Sequence, residues 1–346
     1  MDTNKENLIS KFSATGSYEN TTIAGETVSA FVPVALSQDI VASLGTDSYD
    51  RLERANRALG RLDGISTLFS DPSLFIYFYV RKEAVLSSQI EGIQSSLSDL
   101  LLFESKQQPS VPLEDVEEVT NYVQAMNYGL KRLREDDFPL SLRLIREIHE
   151  ILLSGGRGKD KNPGEFRRSQ NWIGGSSPGN AAYVPPPPHL VPELMGDLEK
   201  FWHRKDLPVL IKAALTHIKF ESIYPFLDEN GRLGRLLVTF LLCSDDVLQD
   251  PLLYLSLYFK THRDEYYNHL QMVRSKGFWK EWLLFFLEGV RHTSQQAFES
   301  AKAIVTITEN HRERIVGVGR KAGSMLSVYE ILRQHPIISS KELTRL

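Results

Sequence analysis

The sequence predicts a mainly α-helical fold with small β pieces, and three observations carry that expectation. Apolar residues recur at helical spacing in Pro208–Ser222 (Leu210, Ala214, Ile218), in Leu233–Leu242, and through the aromatic-rich stretch Leu253–Val290. The long stretch without a period, Asn162–Met195, is dense in turn formers and cannot be one regular element. Strand-like residues gather only in short runs, Thr27–Val32 before Pro33 and Tyr183–Val184 before four prolines.

Taken in order, residues 1–35 are polar at the start and hold the Thr27–Val32 strand. Residues 48–104 read as helices, and the polar break Lys106–Asp115 separates them from the next region. A long amphipathic helix is expected from His292. The tail from Ser324 to Leu346 reads as helix, turn and the start of another helix. These marks divide the chain into regions 1–105, 106–292 and 293–346.

Composition narrows the function classes. Among 346 residues the net charge is −4, which gives no general pull toward nucleic acid. No apolar run is long enough to span a bilayer, and the first 22 residues lack the apolar segment of a secretory signal; a cytoplasmic protein is expected. Cys243 is the only cysteine, so neither an intrachain disulfide nor a thiolate metal cluster can form. The nine histidines show no metal-ligand spacing.

The densest chemistry lies in YPFLDENGRLGR, Tyr224–Arg235, between two helical stretches. Pro225 disfavours α geometry at Tyr224, and Phe226 is the apolar anchor of the loop. Glu229-Asn230-Gly231-Arg232 opens the second helix, where unpaired N–H groups and the positive dipole end can hold a phosphate. Gly231 permits close approach to the backbone. Arg232 and Arg235, three apart, can address one polyphosphate, and Asp228 offers the carboxylate that Mg²⁺ shares with substrate phosphates. A helix hairpin with an N-terminal acid and surface arginines is the alternative.

On these residues the chain resembles the Fic family, whose motif HxFx[DE]GNGRxxR is matched by Phe226, Asp228, Asn230-Gly231-Arg232 and Arg235. The resemblance implies a Fic-type helical bundle that transfers AMP from ATP to a protein hydroxyl. It places catalytic roles on Tyr224, Asn230 and Arg232, nucleotide contacts on Asp228, Asn230, Gly231, Arg232, Gly234 and Arg235, and Mg²⁺ on Asp228. Residues 106–292 would be the Fic core, and homodimers and self-modification are within the family's range.

Two positions depart from the motif. Tyr224 stands where the family has the histidine general base, and a phenol with pKa about 10 is ionised only to about one part in a thousand at pH 7. Slow or absent transfer is therefore expected, unless Arg232, Arg235 and Mg²⁺ lower that pKa or His217, seven residues earlier, substitutes. Glu229 replaces the first glycine; it either repels the α-phosphate or serves as an acid at the helix N-terminus.

Upstream, Ser87 and Glu91 share a helix face, with Gly92 as the C-terminal cap. By themselves they are an ordinary helix end. Beside the downstream motif they resemble the inhibitory [ST]xxxE[GN] helix of Fic proteins, which implies that Glu91 pairs bidentately with Arg235 and blocks the γ-phosphate position. Tyr183 and Val184 resemble the Fic flap, a β-hairpin that pairs with a target segment; a proline-rich ligand is the alternative. Arg167, Gln170 and Asn171 match a bracing segment, FRxxQNWIG, and Tyr254 and Tyr267 are candidates to enclose the base. The tail resembles the opening of a winged helix without its recognition helix, so DNA binding is not expected. The function expected is an autoinhibited protein adenylyltransferase impaired at Tyr224; the alternatives are a nucleotide-binding pseudoenzyme with a regulatory role and an interaction protein with a vestigial motif.

Overall fold

The structure is a computed structural model that describes residues 15–346 except 24, 38–39, 42–43, 66–71, 156–157, 159, 335–336, 339–342 and 344–346. The described residues form a helical assembly with one two-stranded antiparallel sheet, β1 (Gly16–Ile23) and β2 (Glu26–Pro33), in register Gly16↔Pro33 to Ile23↔Glu26. The expected strand Thr27–Val32 is thus β2. Its partner, polar and without an alternating pattern, was invisible in the sequence.

The first helices are α1 (Asp47–Ile65), α2 (Ser73–Ile90) and α3 (Leu97–Glu104). Ser96 starts α3 with a capping box, its hydroxyl accepting from the Asp99 N–H. Next come α4 (Leu113–Arg134) and α5 (Leu142–Leu152), then an irregular stretch, then α6 (Val191–Trp202). The centre is the pair α7 (Val209–Ile223) and α8 (Asn230–Ser244). Around it lie α9 (Ser256–Thr261), α10 (Arg263–Lys276) and α11 (Trp279–Val316), with α12 (Ala322–Gln334) against the far end of α11.

Every residue of α7 from Leu210 to Ile223 is buried, so it has no solvent face to reveal by periodicity. Several of its polar side chains are matched internally, while Thr216 Oγ1 and Glu221 Oε1 are buried without a hydrogen-bond partner among the described residues. Lys212 pairs with Asp245, the Lys219 ammonium donates to the carbonyls of Pro33 (2.8 Å) and Val34 (2.5 Å), and Trp282 of α11 donates to the Ala214 carbonyl at 2.8 Å. The Lys219 contacts tie the end of β2 to the central helix. α11 is one continuous helix across the expected boundary at 292; its side chains change from aromatic to polar there because the helix leaves the core, not because it ends. The tail begins with α12, while most of the turn and further helix expected after it lie outside the described residues.

Gly129 of α4 lets α8 approach closely, since a Cβ there would lie 2.4 Å from Phe240 Cζ. The Gly129→Ala variant should lose about 1–3 kcal/mol through overpacking, against the small gain in helix propensity. Urea unfolding would register this as a lower midpoint at unchanged slope, and an unchanged midpoint would show that the ring simply turns aside.

Candidate active site

The loop between α7 and α8 is fixed mainly by hydrogen bonds to its main chain. α7 stops at Tyr224, which adopts a left-handed conformation (φ 50°, ψ 61°) while its N–H still reaches the Phe220 carbonyl at 2.9 Å. Arg167 braces the turn: its N–H donates to the Pro225 carbonyl (2.9 Å) and its buried guanidinium to the carbonyls of Tyr224 (2.9 Å) and Pro186. Phe226 is fully buried, stacked on His149 at 3.8 Å between ring centroids. Asn230 holds the Phe226 peptide from both sides, accepting from its N–H and donating to its carbonyl, each at 2.9 Å. Asn171 donates to the same carbonyl at 3.2 Å. His149 Nδ1 accepts from the Gly164 N–H at 2.9 Å, so the ring proton sits on Nε2 and faces the Asp228 carbonyl at 3.3 Å. Burial lowers the His149 pKa to about 4 and keeps the ring neutral.

These contacts place the N-terminus of α8 in a cleft of about 540 Å³, bordered by Tyr224, Asp228, Gly231, Arg232, Glu91 and Glu118. Asn230, expected to cradle phosphate, is fully buried and commits its side chain to the loop. Gly234, expected among the nucleotide contacts, instead packs against α7. Its carbonyl meets His217 Nδ1 at 3.0 Å, and a Cβ there would lie 2.9 Å from Glu221 Oε1.

Both arginines are held by carboxylates of this chain. Arg235 donates to Ser87 Oγ (2.8 Å), the Ser87 carbonyl (3.1 Å) and Glu91 Oε1 (2.7 Å). Glu91 therefore contributes one oxygen, not the bidentate fork expected, with the Ser87 hydroxyl on Nε and the Ser87 carbonyl sharing Nη2. Gly92 follows with φ 94°, the left-handed residue that ends α2. The Glu91 carboxylate also covers the α8 N-terminus, since a Cβ on Gly231 would come within 2.3 Å of Glu91 Oε1. Arg232 donates to the Glu118 carboxylate (3.1 Å), the Glu118 carbonyl (3.2 Å) and Glu229. Glu229 is the residue before α8, at φ 60°, a conformation that favours glycine. Burial lifts its carboxyl to about 7 despite the Arg232 attraction.

Tyr224 borders the cleft, and burial together with the carboxylates of Glu221, Glu91 and Asp228 pushes its phenol well above the ordinary value. Burial and these acids outweigh the arginines, whose charge is met by carboxylates. His217 is not a substitute base. It is fully buried, its Nε2 lies 2.8 Å from Tyr266 Oη, and burial lowers its pKa to about 3. Tyr254 is buried against Tyr79 (5.1 Å), away from the cleft, whereas Tyr267 is 39 % exposed and close enough for its phenol to feel Glu91 and Arg235. Tyr183 exchanges main-chain hydrogen bonds with Ile173 (2.8 and 3.1 Å), and the Val184 carbonyl accepts from Phe31 of β2 at 2.9 Å. The Tyr183 side chain is buried, its hydroxyl donating to the Ser222 carbonyl.

Three contributors gave no sequence signal: Glu118, His149 and Glu221. Glu118 and His149 reach the loop from α4 and α5, and their i,i+4 surroundings look like any other helix. Glu221 lies within the core helix, its carboxyl lifted to about 7 by burial.

The donor set fits Mg²⁺ only as a shared ligand. Asp228 is exposed, with one carboxylate oxygen accepting the Glu229 N–H at 2.9 Å. Among the described residues no group of three or more His, Cys, Asp or Glu could hold a metal unaided, so phosphate oxygens would have to complete the shell, as is usual for Mg²⁺.

Comparison with known families finds the Fic/DOC family N-terminal domain over residues 49–131 and the Fic/DOC family domain over 139–242. The chain is a Fic domain protein. The helical stretch with Ser87 and Glu91 falls in the first match, and Tyr224–Arg235 in the second. The Fic chain is similar to a protein adenylyltransferase Fic of Aedes aegypti, 31% identical over 245 residues that cover 67% of this chain and 44% of that one. It is also similar to a probable protein adenylyltransferase of Aquifex aeolicus, 28% identical over 188 residues and 54% of each. It thus spans about half the length of the curated relatives it matches. A Fic family protein of Desulfovibrio desulfuricans has the same fold, with TM-score 0.63 at 20% identity over 78% of this chain and 76% of that one. A Fic domain-containing signalling protein of Bacteroides thetaiotaomicron aligns with TM-score 0.57 at 18% identity, over 72% of this chain and 97% of that one.

Glu221 has a pH consequence. A carboxyl raised from the ordinary range to about 7 binds more protons folded than unfolded, so its contribution to stability is full below about pH 4 and is lost as pH rises through 7. The Glu221→Gln variant, compared with wild type by denaturant unfolding at pH 4.5 and 7.5, should show a loss on raising the pH that is smaller by up to about 3 kcal/mol. Equal losses would place the Glu221 carboxyl in an ordinary, solvated environment.

Proposed function

We propose that this chain is a protein adenylyltransferase held in an autoinhibited state, with turnover further limited by Tyr224. The observation that supports it best is the position of the Glu91 carboxylate, which neutralises Arg235 and overlies Gly231 at the same time. An ATP triphosphate needs both places: the guanidinium for its outer phosphates and the α8 N–H groups for an inner one. Arg232, held by Glu118 and Glu229, is a second guanidinium that must change partners before it serves a phosphate.

With the carboxylate withdrawn, Arg232 and Arg235 would grip the β- and γ-phosphates and the amides at Gly231 would stabilise charge on the α-phosphate. Mg²⁺ held by Asp228 would neutralise phosphate charge. A target hydroxyl oxygen would then bond to the α-phosphorus as the bond to pyrophosphate breaks, and its proton must go to a base. Tyr224 stands at the motif position of that base, but its raised pKa keeps the phenol protonated, so the phenolate that could accept the proton is scarce. Arg167, Asn171 and Asn230 act as positioning residues for the loop. Tyr183 is committed to Ile173, so a protein segment would pair with the Val184 carbonyl only by displacing Phe31 of β2, and self-modification, a homodimer and a cytoplasmic location belong to the same proposal. The raised Tyr224 pKa also favours one second reading, a nucleotide-binding pseudoenzyme that regulates a partner.

Three variants test this. Glu91→Gly should tighten ATP binding at least about tenfold in calorimetry, the scale of one charge-assisted contact; unchanged affinity would remove the brake from the proposal. Tyr224→His in the Glu91→Gly background should raise AMP transfer, read by intact mass, by about 10²- to 10⁴-fold. Equal rates for the two backgrounds would mean that the phenol is no handicap, and ATP binding without transfer in both would favour the pseudoenzyme. A Glu229→Gly change should relieve the left-handed backbone and free Arg232 from one carboxylate, adding a further gain in ATP affinity; a loss of affinity would show that Glu229 supports the site.

A further inference from the structure

α1 and α11 lie side by side, and a groove of about 480 Å³ runs between them. It shares no lining residue with the cleft at α8. From α1 it receives Arg51, Arg54, Arg57 and Arg61, whose spacing puts them along one edge of the helix beside the buried row Leu52, Ala55, Leu59 and Leu62. From α11 it receives Arg291, and the half-buried ring of Phe298 together with Ala58 gives it an apolar floor. Two carboxylates, Glu288 and Glu299, border the same space, so five guanidinium groups face two acids in a protein whose overall charge is −4.

Helix docking explains only part of that set. Glu288 bridges Arg51 (3.0 Å) and Arg291, and this cross-link between α1 and α11 needs no other arginine. Arg54 and Arg57 turn to Asp50 and Glu53 on their own helix, in exposed i,i+4 pairs that solvent screens. Arg61 has no partner among the described residues and is exposed. Three weakly held or unpaired forks therefore line one side of a concave space, with a fixed fork, Arg291, across from them. Planar guanidinium groups match phosphate oxygens two at a time, and arginines held only by solvent-screened pairs can turn to an anion in the groove.

We propose that this groove is a binding site for a small organic polyphosphate, its phosphates on Arg54, Arg57 and Arg61 and its organic part on Phe298. The groove's volume is that of a small-molecule site, and the acidic overall charge disfavours a long nucleic acid as occupant.

The test is calorimetric titration of the full chain with inorganic pyrophosphate and, separately, with ADP, at one fixed ionic strength. Wild type is compared with Arg54→Glu/Arg61→Glu and with Arg232→Ala. Both α1 side chains are exposed and outside the core, so the charge-reversed chain should keep its helical circular dichroism and thermal midpoint. The expected result is that pyrophosphate binding survives Arg232→Ala but weakens at least about tenfold on charge reversal, since each charge-assisted contact is worth about a factor of ten or more. Tighter binding of ADP than of pyrophosphate at this site would assign the floor to the organic part; equal binding would assign the site to free phosphate anions. Absence of binding to wild type at millimolar probe, or binding that charge reversal leaves within about twofold, overturns the proposal. Because the Arg232→Ala arm reads the α8 cleft separately, failure here leaves the adenylyltransferase reading untouched, and the converse also holds.

Discussion

The buried guanidinium of Arg235 is the group on which the arrangement of this protein depends. It is 4 % exposed, so its charge must be met inside the protein. α2 meets it with Ser87 and Glu91, one helical turn apart, and Glu83 a further turn back lies within electrostatic range of the same charge. That contact joins the two matched parts of the chain, because α2 belongs to the N-terminal Fic region and α8 to the Fic domain. Removing Glu91 would leave the buried Arg235 charge with less compensation, which costs more than a surface pair is worth, whereas Glu91 itself reaches solvent. The pair is therefore structural cement, and under the proposed function Glu91 also competes with phosphate.

Around it the cleft has an unusual balance. Its arginines are already paired, and Glu91, Asp115, Glu118, Asp228 and Glu229 border it. A nucleotide entering this pocket as it stands would meet acids before it met free cations. Glu229 sharpens the effect: it adopts a left-handed backbone that glycine would accept without strain, and its side chain occupies Arg232. The raised carboxyls of Glu83 and Glu221, each near 7, both feel the Arg235 charge, and that of Glu229, also near 7, faces Arg232. The core helix α7 carries Glu221, whose charge acts on the Tyr224 phenol and on Arg235, so the electrostatics of the site and the packing of the core are coupled.

Much of the site could be read from the residues in order. Tyr224–Arg235 is local in sequence: proline, acid, glycine and two arginines declare a loop and helix start, and their roles rest on distances of a few residues. The mainly helical fold is legible from period, and the strand at Thr27–Val32 from its β-branched residues and the proline that ends it. Ser87, Glu91 and Gly92 declare a helix face and its end. The pairing of Glu91 with Arg235 came from family resemblance, since no spacing argument links residues 144 apart.

What needed the third dimension is everything that depends on which helix lies beside which. The sequence could not tell that Glu118 reaches Arg232 from α4, that His149 stacks under Phe226, or that His217 is locked between Gly234 and Tyr266, because long-range neighbours leave no local period. It could not tell that the Asn230 side chain is committed to the loop or that Gly234 packs against α7, since one residue's rotation around a helix decides that. Nor could it show that β1 pairs with β2 or that α11 continues past 292, where only the burial changes. Local chemistry is written in consecutive residues; charge compensation and burial are properties of packing, and packing alone sets them.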